Sequence, residues 1–416
     1  MRKRYFAAAF GMLMAAGCAA NGGGGAPNIP RALNFTGSSS TGYVVSVLQS
    51  LGGTNSAANS LNDNGEPAGT SFLSGNTAMH AALWRDAGVV DLGTLGGPNS
   101  AVEWPVLNDD GFVSGISETS RTDPLGESTQ WSCHAFLPDG GSSGKTCLAF
   151  VWHNGKMRPL GTLGGNNGYG AGMNQRDEIV GWAETSKHDS TCVAPQVLQF
   201  LPARWNALER KARALATLRV NGKLDPDGAA TAVNRDGDVV GISGICDVAV
   251  GRFTAHHAVL WKDGGRATQL KTLGGVSWNT PTAINDDGQI VGFLNRPGSA
   301  DKKGAPNFIS VIWTDPASKP TKIGVLPGDQ LSEPTSINNR GVVLGVSFPS
   351  SHVFLWQNGR MTDFTKIVEA AYPNLEPVSV GGINDRGEIA GQACELVSGS
   401  CPSSGATFVT FLAAPN

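Results

Sequence analysis

TPTAINDDGQIVG, residues Thr280 to Gly292, reads as a strand, a tight turn and a returning strand. The apolar run ends at Ile284, Asn285-Asp286-Asp287-Gly288 follows, and the chain returns through Gln289-Ile290-Val291. Asn at the first turn position and Gly at the fourth suit a type I turn closed by a left-handed residue, a common hairpin connection. The signature recurs seven times as an Asn followed seven residues later by Gly: Asn62/Gly69, Asn108/Gly115, Asn174/Gly181, Asn234/Gly241, Asn285/Gly292, Asn338/Gly345 and Asn384/Gly391. The fourth turn residue is Gly in six units (Gly65, Gly111, Gly237, Gly288, Gly341, Gly387). The third unit has Asp177 there, one of the few other residue types that tolerate positive φ. Successive Asn residues lie 46 to 66 positions apart. A fixed local spacing inside a variable period marks one structural unit copied seven times.

Working outward, a third strand ends in Trp: His80 to Trp84, Leu148 to Trp152, His257 to Trp261, Ile309 to Trp313 and His352 to Trp356. Both faces are apolar, so this strand is packed on two sides. A tight turn such as Gln357-Asn358-Gly359 leads to a fourth, as in Val89 to Leu95 and Met157 to Leu163. Four antiparallel strands buried on both faces and repeated seven times predict an all-β fold, a seven-bladed β-propeller. The first strand of each unit is rich in Ala, Gly, Ser and Thr, as strands converging on an axis require, so it is read as innermost. The seventh unit has three strands, near Val378–Ile383, Glu388–Gln392 and Ala406–Leu412. Tyr43 to Gly53 matches a fourth, so the N-terminal strand is expected to complete the last blade and close the ring.

The combination of His80 to Trp84 (HAALW), Asp91 to Gly97 (DLGTLGG) and Ile284 to Gly292 (INDDGQIVG) resembles the bacterial extracellular HAF-repeat family over roughly residues 43–412. The resemblance implies export and no particular activity. Unit 3 departs most: Leu201 to Trp205 is LPARW, and Arg219-Val220 replaces the Gly pair. The beginning of the chain, Met1-Arg2-Lys3-Arg4 followed by an apolar run and Ala15-Ala16-Gly17-Cys18, reads as a signal peptide over 1–17. It resembles a bacterial lipoprotein signal, which implies lipidation of Cys18 and an outer-membrane location. Residues 18–42, rich in Gly, Ser and Asn, read as a flexible tether, leaving 43–416 as the propeller domain.

Without Arg2, Lys3 and Arg4 the chain keeps 28 basic against 34 acidic residues, a net charge near −6 that disfavours nucleic acid. The six cysteines besides Cys18 all fall in the loop between second and third strands. That loop spans 11 residues from repeat Gly to Trp in unit 6 and 37 in unit 2. Fifteen connectivities are open to six cysteines. Shared location favours Cys133–Cys147, Cys192–Cys246 and Cys394–Cys401. Long pinned loops on a rigid scaffold point to recognition, so Arg121, Asp123, Trp131, His134, His188, Arg252 and His256 are the candidate recognition residues for a protein or glycan ligand. The chain is expected to be monomeric, with no membrane contact beyond the N-terminal lipid.

For catalysis the candidates are Glu103 and Glu333, each five residues before a repeat Asn and expected near a channel mouth on the disulfide face. With no third partner apparent they carry an alternative reading, a polysaccharide- or cell-wall-directed enzyme. A structural envelope protein without a ligand site is the other alternative. No cofactor or metal is expected. His80, His257 and His352 hold a repeated strand position that suits blade packing, and hairpin geometry explains the Asn-Asp turns without calcium. Asn206 to Ala216 (NALERKARALA) reads as a short helix or extended turn.

Overall fold

The computed structural model describes residues 42–86, 88–129, 133, 137, 143–246, 255–276, 278–297 and 307–416. The signal segment, most of the tether, Cys18, Trp131, His134 and Arg252 lie outside the described residues. The fold is all-β and propeller-like. Units 2 to 6 each form a four-stranded antiparallel sheet in sequence order, and units 7 and 1 share an eight-stranded sheet. Unit 5 shows the pattern, with strands Thr280–Ile284, Ile290–Asn295, Phe308–Trp313 and Thr321–Gly324. The Asn turns and the turns between third and fourth strands share one end of the sheets, the turn face. The disulfide loops lie at the other end, the loop face.

The geometry accounts for the Asn-to-Gly spacing. Asn285 N–H donates to Gln289 O and Gly288 N–H to Asn285 O, while Asn285 Oδ1 takes the Gln289 N–H. Gly288 has φ +75° and Asp177 φ +59°, as the turn requires. Beyond the turn the inner strand carries a bulge, between Pro281 and Ala283 here and at the equivalent place in units 1, 3, 4, 6 and 7. The bulge pushes an inner-strand carbonyl towards the repeat Gly. A Cβ on Gly292 would stand 2.7 Å from Pro281 Cα.

Two further relays link neighbouring units. The repeat Asn donates Nδ2–H to the main-chain oxygen of the next repeat Asn: Asn62 to Asn108, Asn174 to Asn234, Asn234 to Asn285, Asn285 to Asn338, Asn338 to Asn384, and Asn384 back to Asn62. Only Asn108 differs, donating to Asp177 Oδ1 in the unit that lacks the turn Gly. The third-strand Trp spans the other gap. Trp205 Nε1–H donates to Gly161 O, Trp261 to Ala216 O and Trp313 to Lys271 O, each on the preceding outer segment. Trp84 makes the same bond to Gln49 O. Residues Tyr43–Leu48 pair antiparallel with Phe408–Pro415, from Tyr43 opposite Pro415 to Leu48 opposite Thr410.

One segment decides between the alternatives its sequence left open, and another departs from its sequence reading. Asn206 to Ala216 is the extended turn and not a helix. It leads into a two-residue outer strand, Arg213–Ala214, and then a small hairpin of Arg219–Val220 with Lys223–Leu224. The chain's one α-helix among the described residues, Phe364–Ala371, was not foreseen. Asp363 caps its N-terminus by accepting from Lys366 N–H, and Phe364, Val368 and Tyr372 turn inward onto the unit-7 core.

Candidate functional site

All three disulfides form on the loop face as paired above, with Cα separations of 5.7 Å (Cys133–Cys147), 4.7 Å (Cys192–Cys246) and 5.8 Å (Cys394–Cys401). They are consistent with an exported protein. Cys192–Cys246 ties the loop of unit 3 to that of unit 4. Beneath the loops of units 2 to 4 lies a set of buried carboxyls that the sequence reading missed. Glu118 takes Asn99 Nδ2–H at 2.9 Å and Ser143 N–H at 2.7 Å. Glu184 takes the Asn166 and Asn167 N–H groups at 3.0 and 2.9 Å. Glu127 Oε1 reaches across from the unit-2 loop to the Val197 and Leu198 N–H groups at 2.8 and 2.6 Å.

The first two are one device used twice. In each, a Glu three residues after the repeat Gly holds an Asn three residues after the first Gly of the Gly-Gly pair. That Asn's Oδ1 accepts the N–H of the previous third strand, Met79 for Asn99 and Cys147 for Asn167. The repetition marks a clip that anchors loops, not a reaction centre. Burial is the main cause that pushes Glu184 up to about 7, with neighbouring Glu127 adding to it. Asp227 is pushed up to about 9 by burial and by sharing a proton with Asp189. Asp189 lies low because, against the upward push of burial, Asp227 and Thr191 donate to it.

Among the recognition candidates that are described, Arg121 and His188 are exposed and His256 is half-buried. Asp123 is buried, and its carboxylate is occupied internally by the Leu125 and Ser128 N–H groups, so it supports the loop and does not face a ligand. His80, His257 and His352 each hold an Asp through Nδ1, at 2.8 Å (Asp91), 2.9 Å (Asp225) and 2.9 Å (Asp363). His80 and His352 thus meet an Asp of their own blade's outer strand, whereas the Asp225 that His257 meets lies on the segment leading from unit 3 into unit 4. Among the described residues no group of three or more His, Cys, Asp or Glu is arranged to hold a metal ion.

Glu103 and Glu333 do not stand at an open mouth on the loop face. Glu333 is 6% exposed on the strand Leu331–Ile337. Glu103 is partly accessible, but its Oε1 is sealed without a hydrogen-bond partner. It lies near the buried Tyr169, whose pKa is raised by burial and further by the Glu103 charge. Burial alone pushes each carboxyl up to about 8. An axial opening of about 150 Å³ lies at the turn face and is lined by Asn turns. There a second relay runs through the residue after each Asn. Asp385 N–H donates to Asp63 Oδ1 and Asp63 N–H to Asp109 Oδ1. Asp286 and Asn339 continue it. Asp63 is pushed upward by burial first and by its acidic neighbours next.

These raised carboxyls set a pH dependence. A carboxyl whose folded pKa exceeds its unfolded one binds its proton more tightly in the folded state, so its stabilisation is complete at low pH and is lost as pH rises through the folded value. With Glu184 near 7, Glu103 and Glu333 near 8 and Asp227 near 9, stability is expected to fall from about pH 4, where the unfolded carboxyls titrate, to about pH 9, and to level off above that. Half the displacement of Glu333 alone corresponds to about 2 kcal/mol at about 1.4 kcal/mol per pH unit. Glu333→Gln should match the wild type near pH 5 and exceed it in denaturation midpoint at pH 9. Parallel curves for the two proteins would place Glu333 in water.

The chain matches no protein-family profile and no curated protein. Among solved structures, virginiamycin B lyase from Staphylococcus aureus superposes with a TM-score of 0.50 at 10% identity, covering 90% of this chain and 100% of that one. Polysaccharide lyase Uly1 gives 0.44 at 9% identity, covering 84% and 88%. A streptogramin B lyase gives 0.33 at 9% identity, covering 90% and 98%. At these identities the likeness is one of fold alone, and the fold that the first of them shares with this chain is a β-propeller.

Proposed function

We propose that the protein is an exported, lipid-anchored binding scaffold. In this reading it is a closed seven-bladed propeller whose disulfide-pinned loops recognise a protein or glycan of the cell envelope. The observation that carries it is the gathering of all six paired cysteines, the longest connections and the buried Glu118, Glu127 and Glu184 anchors on one face. A rigid repeat frame with divergence confined to one set of loops is how recognition surfaces are commonly built. Closure into seven blades is supported by the Asn relay that returns from Asn384 to Asn62 and by Gln49 taking the place of an outer segment. Anchoring is supported by the lipoprotein-type signal that ends at Cys18, and export by the HAF-repeat resemblance of residues 43–412 as well. A second reading, an enzyme acting on envelope polysaccharide through Glu103 and Glu333, has their raised pKa in its favour and their burial against it.

The test is a loop exchange in the full mature chain. Residues 120–144 are replaced by the short unit-6 connection, with Cys147→Ala so that no thiol is orphaned. Both proteins are screened on an array of envelope glycans and against purified envelope proteins, with the denaturation midpoint as a fold control. The wild type should retain a ligand that the exchanged protein loses. Equal retention would move recognition off this face. Glycan cleavage that survives Glu103→Gln with Glu333→Gln would move the active site off these two carboxyls; no cleavage by the wild type would remove the second reading.

A further inference from the structure

Unit 3 breaks the repeat at two places, and both converge with a turn arginine on one opening. Arg204 stands just before Trp205, where other units carry Leu83, Val151, Leu260, Ile312 and Leu355. Arg176 sits in the Asn turn itself. The turn from third to outer strand is lengthened and brings in Arg213. Together they line an opening of about 230 Å³ on the turn face, with Glu178, Asn206 and Glu209.

Unit 7 shows what the repeat does with an Arg in this turn. Arg386 Nη2 lies 2.6 Å from Glu388 Oε2, a pair made within the hairpin. In unit 3 the equivalent Glu178 is taken by Arg204, Nη2 to Oε1 at 2.6 Å. Arg176 is left with no ion pair among the described residues; Asp263 of unit 4 and Glu178 are the nearby acidic groups around Gly237. Arg204 and Arg213 are also direct partners across the strand pair. Like charges facing one another in an antiparallel ladder are destabilising. Glu209 answers Arg213 at 2.9 Å, but both side chains are more than half exposed, and such pairs contribute little. The lining itself sets three guanidiniums against two carboxylates, a charge of +1, with Asp263 a further acid beside Arg176, on a chain whose net charge is negative.

The backbone around the opening is held in advance. Asn206 Oδ1 accepts the Leu208 and Glu209 N–H groups, Ala207 N–H donates to Asp177 O, and Gly161 N–H donates to Arg210 O. Guanidinium forks on a fixed frame match the oxygens of phosphate and sulfate. We propose that this opening binds a tetrahedral oxyanion, either free or as the phosphate or sulfate end of a larger molecule. Its volume falls below the roughly 300 Å³ where pockets for drug-sized ligands begin, so it takes a charged group and not a whole polymer. It lies on the face opposite the disulfide loops and stands independently of recognition there.

The test titrates the full mature protein by calorimetry with inorganic phosphate, sulfate and glucose 6-phosphate, against chloride at matched ionic strength. Phosphatidylglycerol vesicles are assayed by co-sedimentation. Phosphate or sulfate should bind beyond chloride, and Arg176→Gln should weaken it about tenfold or more, the effect of losing a charge-assisted hydrogen bond. Arg204→Leu restores the repeat's aliphatic residue and frees Glu178 to pair with Arg176 as in unit 7. It should hold the denaturation midpoint while abolishing binding. If that variant fails to fold, the exposed Arg176→Gln decides alone. Tighter binding of glucose 6-phosphate than of free phosphate assigns the site to an ester. Vesicle binding lost in Arg176→Gln assigns it to a lipid headgroup. Binding no stronger than chloride, or unchanged in both variants, overturns the proposal.

Discussion

Deleting Tyr43 to Leu51 from the mature chain is expected to leave a protein that aggregates or melts far below the wild type, although those nine residues touch no candidate site. Their role follows from what they pair with. Tyr43–Leu48 covers the strand Phe408–Pro415 along six register pairs. Val45 is 1% exposed, its N–H donates to Tyr372 Oη at 3.0 Å, and Tyr43 stands edge-on to Phe364 with ring centroids 5.2 Å apart. On the far side Gln49 O takes Trp84 Nε1–H at 2.6 Å, and Leu51 N–H donates to Ser71 Oγ at 2.8 Å. The segment therefore holds unit 7 and unit 1 together. Its removal exposes a strand edge, which invites intermolecular pairing. It also takes away the acceptor of the buried Trp84 Nε1–H, at about 1–3 kcal/mol. Burial of a Val side chain is worth about 1.5–3 kcal/mol more. Such a sum reaches the lower end of the roughly 5–15 kcal/mol by which domains are stable at all. Chemical denaturation of the deletion protein, beside Val45→Asp as a milder break of the same strand, checks it. An unchanged midpoint would mean that the ring holds without this strand and that the proposed closure is wrong.

What the sequence disclosed was the part of the fold that repeats. The turn Asn, the repeat Gly and the third-strand Trp recur because each solves a backbone problem that every unit shares, and a shared problem leaves a visible period. The cysteine pairs were legible for a related reason: all six lie in or at the strand ends bordering one loop class, so the frame brings them near one another. The loop anchors were not read, although a signal was present. Glu118 and Glu184 share a position relative to the repeat Gly, and Asn99 and Asn167 share one relative to the Gly pair. They pair over 17 to 19 residues, and nothing local announces which Asn a Glu will meet. Asp123 looked like a surface acid because loop residues usually are, yet the loop folds over it. Glu333 lies on the inner strand Leu331–Ile337 and Glu103 just past the inner strand Gly96–Ala101, and the repeat register alone does not say whether a side chain meets water or a neighbouring blade. Tyr169, at the same register in unit 3, is what helps to bury Glu103. The helix Phe364–Ala371 interrupts the pattern once, and a pattern read from repeats is blind to a single exception.

Gly181→Ala should be among the most damaging single methyl groups that can be added to this protein, and Gly111→Ala among the mildest at a repeated glycine. The two residues belong to the same motif but do different work. Gly111 has φ +76° with nothing within 4 Å of an added Cβ, so Ala there meets only backbone strain of about 1–2 kcal/mol. Asp177, at the same turn position in unit 3, shows that a side chain is tolerated. Gly181 meets atoms. Its Cβ would collide with Tyr169 O and stand 2.9 Å from Tyr169 C and 3.1 Å from Ala171 N, all backbone of the inner strand. That strand cannot back away, because it is wedged on both sides. A Cβ on Gly172 would already lie 2.9 Å from Ala232 Cα in unit 4, and one on Gly170 would strike Ser114 Oγ in unit 2. Relieving the clash means moving three units together, so the cost should reach the rare class of about 4 kcal/mol or more for one substitution. Urea midpoints of the two variants, measured with the wild type at one pH, separate the cases. The drop for Gly181→Ala should exceed that for Gly111→Ala at least twofold, given about 4 against about 1–2 kcal/mol. Equal drops would show that the inner strand yields. The fixed seven-residue spacing would then record the turn alone, with no contribution from the packing of one strand's carbonyl against the next strand's glycine.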